Sequence, residues 1–129
     1  MTATYHGGFA ATVEARGHRV DVDEPPEAGG EDAGFMPTEL LFASLASCFA
    51  LALAHAARKR ELELPGLRVE VTAERPGSEL RYDHVVVSAS AGVPLDELSA
   101  LVEKAERLCW VSNTLARTPQ IEYRAVEER

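Results

Sequence analysis

Apolar and polar positions sort this chain into short alternating runs and two helical ones. Phe9–Ala15 and His18–Asp23 read as strands. In the second, Val20 and Val22 alternate with Arg19, Asp21 and Asp23, the pattern of one buried face. Arg16-Gly17 between them predicts a tight turn. Residues 24–35 hold two prolines, three glycines and four acids, which predicts a surface loop. Pro37 suits the first turn of a helix, where its missing N–H costs nothing, and Glu39 follows where the helix dipole favours a negative charge. The helix should run to about Arg60. Within it, Leu40–Ala57 is eighteen residues without a charge and apolar nearly all round. Such a helix needs cover on every side. One small sheet covers one side, and a second subunit could cover the rest.

The second half repeats the theme. Leu67, Val69, Val71 and Ala73 alternate with Arg68, Glu70, Thr72 and Glu74, a half-buried strand. Arg75–Glu79 contains Pro-Gly-Ser and predicts a hairpin loop, with Tyr82–Ala89 as the return strand. Leu95, Leu98, Leu101, Val102, Ala105 and Leu108 keep helical spacing, with Asp96, Glu97, Glu103, Lys104 and Arg107 outside. A short helical piece follows at Val111–Ala116. After Pro119, Ile121, Tyr123 and Ala125 alternate with polar residues as a last strand. The order is ββ-α-ββ-α-β in a single domain, residues 1–129: an α+β fold with antiparallel hairpins and two main helices against a sheet.

Charge narrows the partners. With 13 Lys and Arg against 21 Asp and Glu, the net charge is −8, which argues against nucleic acid and against an anionic membrane surface. The uncharged run Leu40–Ala57 approaches bilayer-spanning length. Its alanines, with Ser44, Ser47 and His55, favour a buried helix, so no membrane is expected. Met1–Arg19 has neither a basic start nor a continuous apolar stretch, so no signal peptide is expected and the cytoplasm is the expected location. Two cysteines in that compartment are bland core residues or reactive ones, not a structural disulfide.

Candidate chemistry comes down to those cysteines. There is no Gly-rich phosphate loop, no H-E-x-x-H, no C-x-x-C and no G-x-S-x-G. His6, His18 and His84 are scattered. Cys48 and His55 share a helix face but stand about 10 Å apart along the axis, too far to share a metal comfortably. No metal or cofactor is therefore expected. Cys48 lies mid-helix and Cys109 where the second helix ends. Each taken alone is more simply a small buried hydrophobe. Glu39 is most simply a first-turn acid, and Arg16 and Arg19 are solvated hairpin residues.

Taken together, the motifs resemble a family. Pro37-Thr38-Glu39-Leu40-Leu41-Phe42-Ala43-Ser44-Leu45-Ala46-Ser47-Cys48 is similar to the central-helix motif of the OsmC/Ohr superfamily, the osmotically induced and organic hydroperoxide resistance proteins. Cys109-Trp110-Val111-Ser112 is similar to that family's C-P-x-S segment, and Asp23-Glu24-Pro25-Pro26 with Gly29, Gly30 and Gly34 resembles the loop before its first helix. The resemblance implies an intertwined homodimer with the two central helices packed between two sheets. It implies a thiol-dependent peroxidase acting on organic and also hydrogen peroxide. Cys48 would attack the peroxide and become a sulfenic acid, and Cys109 would resolve it as a disulfide. A dithiol, such as a lipoylated protein, would reduce that disulfide. Arg16, or else Arg19, and Glu39 would assist. Physically, a cation lowers a thiol pKa and a carboxylate can hold an arginine in place. Apolar walls from Leu45, Phe49, Phe42 or Trp110 would favour bulky peroxides.

The chain departs from the family in two places. Trp110 stands where the family has proline. Glu39 precedes Cys48 by nine residues, about 180° around a straight helix, one residue fewer than in the organic hydroperoxide branch. The competing reading is a non-catalytic protein whose apolar dimer cleft binds a lipid-like or aromatic ligand.

Overall fold

A computed structural model describes residues 1–128, which form two compact units, one from Met1 to Ser44 and the other from Leu45 onward.

The first unit is a three-stranded antiparallel sheet of β1 (Thr2–Gly7), β2 (Ala10–Ala15) and β3 (His18–Val22), in that order. The β2–β3 hairpin closes at the expected turn: Ala15 pairs with His18, and Arg16 and Gly17 both take positive φ, 53° and 83°. β1 is additional to the expected elements. All but one of its residues are exposed, so no face was marked by alternation. Its tie to the sheet includes a polar chain, His6 Nε2 to Thr12 Oγ1 at 2.9 Å and Thr12 to Asp21 at 3.1 Å.

The Pro- and Gly-rich stretch that follows is an ordered loop with a short 3₁₀ turn at Pro26–Ala28. Asp23 organises it. Alternation placed Asp23 on the polar side of a strand; it is instead buried, at 3% exposure. Its carboxylate accepts the N–H groups of Glu24 (2.8 Å), Glu31 (3.1 Å) and Ala33 (3.2 Å). Gly30 is required by contact, because a Cβ there would sit 1.9 Å from the Glu24 carbonyl oxygen.

Helix α1 (Pro37–Arg58) begins at the end of this unit. Pro37 opens it as expected, and the Glu39 carboxylate accepts the Met36 N–H at 2.9 Å, half of a capping box. By length and composition alone, α1 could cross a membrane. In the second unit it is a core helix. Leu45, Phe49, Ala52, Leu53, Ala56 and Ala57 are buried on one face. They cluster with Leu101, Ala105 and Cys109 of the C-terminal part, and Val69, Val71, Val87 and Ala89 pack against them. Those valines come from the antiparallel hairpin of β4 (Arg68–Glu74) and β5 (His84–Ser90), paired from Arg68 with Ser90 to Glu74 with His84. α2 (Leu95–Leu108) occupies its expected span, and α3 (Trp110–Ala116) follows. The class is therefore α+β with antiparallel hairpins, as expected. Residues 118–128 carry no strand within the single chain, and Ile121 and Tyr123 are exposed. Alternation there states how side chains would sort once paired; it supplies no partner edge.

Candidate functional site

Cys48 and Cys109 reach one place from two helices. Cys48 sits on α1, one residue from buried Phe49, and is half-buried against the core cluster. Cys109 is the residue between α2 and α3, with no exposed surface. Leu101 and Ala105, two turns and one turn earlier on α2, are buried in the same cluster, so the end of α2 delivers Cys109 into the core. Both thiols are free, and they stand within hydrogen-bonding reach of each other.

The surroundings of Cys109 favour its thiolate. Burial pushes its pKa up. Hydrogen bonds from the Ser112 hydroxyl and N–H, from the Cys48 thiol and from the Val111 N–H outweigh that and hold it below the ordinary thiol value. The Ser112 N–H lies 3.5 Å from Cys109 Sγ, and the Ser112 hydroxyl, 3.2 Å from the Cys109 carbonyl oxygen, can turn to the sulfur instead. Cys109 thus takes the place of an N-cap, its sulfur accepting from the third residue of α3. The spacing Cys-x-x-Ser carried this signal, and Ser112 was not singled out from it.

Beside Cys48 opens a cavity of about 390 Å³, lined by Cys48, Leu51, Ala52, His55, Leu108 and Trp110. Cys48, Leu51 or Ala52, and His55 recur every three to four residues on α1, so one helix face forms one wall. Leu108 and Trp110, flanking Cys109 in sequence, form the other. Trp110 lines the site as expected. Leu45 and Phe49 do not: both turn into the core, because helical phase sets them with Ala52, Leu53 and Ala56 on the buried face. Cys48 is among the lining residues and Cys109 is not.

The other residues expected to assist lie in the first unit. Arg16 is exposed at the hairpin tip, and among the described residues no carboxylate pairs with it. Arg19 donates to Glu14 across β2 and β3. Glu39 spends one carboxylate oxygen on the start of α1.

The family profile of OsmC-like proteins matches residues 29–124. Among solved structures, an organic hydroperoxide resistance protein OsmC of Legionella pneumophila is 29% identical, with a TM-score of 0.68 over 90% of this chain and 88% of that one. An organic hydroperoxide resistance protein of Elizabethkingia anophelis is 27% identical, with a TM-score of 0.67 over 91% and 86%. An OsmC-like protein of Mycoplasma pneumoniae, at 18% identity, shares the fold with a TM-score of 0.78 over 91% and 86%. A search of curated proteins found no match.

Proposed function

Since the chain belongs to the OsmC-like protein family, with hydroperoxide resistance proteins among its structural neighbours, we propose that it is a thiol peroxidase reducing organic hydroperoxides, acting as a cytoplasmic homodimer. The observation that carries this reading is one reachable thiol, Cys48, in contact with one buried thiol, Cys109, beside an apolar cavity.

Accessibility and charge divide the roles. Cys48 is the sulfur a bulky peroxide can reach. Cys109 is the sulfur whose thiolate is favoured by hydrogen bonds from Ser112, Cys48 and Val111. In the singly ionised pair, Cys109 accepts the Cys48 proton as Cys48 attacks. The Cys48 sulfur takes the terminal peroxide oxygen, the O–O bond breaks, and the proton now on Cys109 goes to the departing alkoxide, giving an alcohol. Cys109, again a thiolate, displaces hydroxide from the Cys48 sulfenic acid, forming the disulfide, and the hydroxide takes a proton from solvent to become water. A dithiol then restores both thiols. Arg16 and Glu39 are the assisting pair that the family resemblance assigns. The Glu14 partner of Arg19 leaves Arg16 the more available cation.

Cumene hydroperoxide consumption with a dithiol tests the assignment. Cys48→Ser is expected to consume none, and its Cys109 to stay reduced after one equivalent. Cys109→Ser is expected to react once, stopping at a Cys48 sulfenic acid that excess peroxide carries to sulfinic acid. Oxidation of Cys48→Ser together with an inert Cys109→Ser would reverse the roles. A wild type whose thiols stay silent and whose cavity takes up an apolar ligand unchanged would make the protein a binding module instead.

A further inference from the structure

Resting on the dithiol-reduced peroxidase reading above, we propose that the reductant has one entry point: it attacks the Cys48 sulfur of the disulfide, and Cys109 departs as a thiolate received by Ser112.

Thiol–disulfide exchange requires a thiolate to approach one sulfur while the other leaves, so access to each sulfur and the stability of each departing thiolate decide the direction. The two sulfurs here differ in both respects. Cys48 lines the cavity and is half-buried; Cys109 has no exposed surface and lies behind it in the core cluster. An incoming thiol in the cavity of about 390 Å³ meets Cys48 first. Departure favours the same direction. The Ser112 N–H points at Cys109 Sγ from 3.5 Å, and the Ser112 hydroxyl is poised beside it. Burial alone would make Cys109 a poor leaving group; these donors reverse that, and its pKa is held down in the reduced protein.

The chemistry closes in two exchanges. A reductant thiolate forms a bond to Cys48 Sγ as the Cys48–Cys109 bond breaks, and its electron pair goes to Cys109. The reductant's second thiol, deprotonated, then attacks the sulfur of its own chain bonded to Cys48. It leaves as a cyclic disulfide and frees the Cys48 thiolate. Two electrons come from the dithiol, and its two protons end on the two cysteines. Leu51, Ala52, Leu108 and Trp110 give the cavity an apolar lining. With His55 as its polar member, that lining favours a reductant whose thiols are carried on an apolar chain, since each buried methylene group adds to binding.

The test uses the full chain with its disulfide formed by diamide, so it does not depend on peroxide. The oxidised protein is treated briefly with 2-mercaptoethanol, quenched in acid, unfolded, alkylated and peptide-mapped. The mercaptoethanol adduct is expected on Cys48, with Cys109 alkylated. An adduct on Cys109, an even split between the two, or failure of diamide to join them overturns the proposal. Ser112→Ala is expected to leave the adduct on Cys48 and slow reduction by dithiothreitol about fivefold, the effect of one hydrogen bond. Placed in a Cys48→Ser background, it should raise the pH at which Cys109 is half-maximally alkylated, which a merely structural serine would not do. An unchanged rate and midpoint remove Ser112 from the reaction. A parallel sample given cumene hydroperoxide separates the two readings: its failure to oxidise sinks the peroxidase assignment, while the diamide sample still decides the sulfur order.

Discussion

The two cysteines were legible in the sequence as a pair, and the family resemblance gave them unequal roles, Cys48 attacking and Cys109 resolving, without a physical reason for the difference. That inequality comes from three-dimensional surroundings: Cys109 is enclosed and served by Ser112, while Cys48 faces a cavity. Trp110 shows how a departure from the family pattern can be accommodated. It occupies the first position of α3, where proline is favoured because no intrahelical N–H bond is lost. A tryptophan there keeps the helix start and adds a wall to the cavity. Trp110→Pro is therefore expected to preserve the fold while narrowing the preference for cumene hydroperoxide over hydrogen peroxide, read as the ratio of the two kcat/KM values. An unchanged ratio would remove Trp110 from substrate selection. Asp23 was hidden from the sequence reading because alternation records side-chain faces, not backbone donors. Its folded pKa lies below the ordinary carboxyl value: the Ala33 and Glu24 N–H groups outweigh burial, with a further bond from Glu31. The charged form is favoured by folding, so this contribution is fully present above the unfolded value of about 4 and is lost as pH falls through the folded value. Acid titration of stability should consequently be shallower in Asp23→Asn than in wild type; an identical acid limb would contradict this role.

Elements defined by strong periodicity were read well, because burial imposes the same period on sequence and structure. α2 has its expected bounds, and β4 shows the expected alternation of exposed and half-buried positions. β1 was missed because an exposed edge strand has no face to mark. The run at Ile121–Ala125 has the marking but no partner strand in the single chain. Helix α1 carries the most consequence. Leu53 has no exposed surface and sits in the cluster that positions both cysteines. Leu53→Ala should cost about 2–5 kcal/mol in urea unfolding. A loss well under that range would mean the cluster is not the well-packed core described.

For the molecule as a whole, the proposed homodimer would cover the side of α1 that the single chain leaves open. Leu51 is 73% exposed, although α1 is apolar nearly all round, and the buried residues of its second-unit portion use one face only. A partner helix would cover such a surface. Static light scattering at micromolar concentration should give twice the 14.0 kDa chain mass; a stable monomer would count against the homodimer. The proposed activity depends above all on the reactivity of the thiol pair. The most direct measurement is mass spectrometry of the wild-type protein after one equivalent of cumene hydroperoxide, with free thiols counted before and after a dithiol is added. A thiol peroxidase working through this pair should lose both thiols, show an intramolecular Cys48–Cys109 crosslink in the peptide map, and recover both thiols with the dithiol. Two thiols still free after peroxide, or oxidation confined to one cysteine with no crosslink, would contradict it.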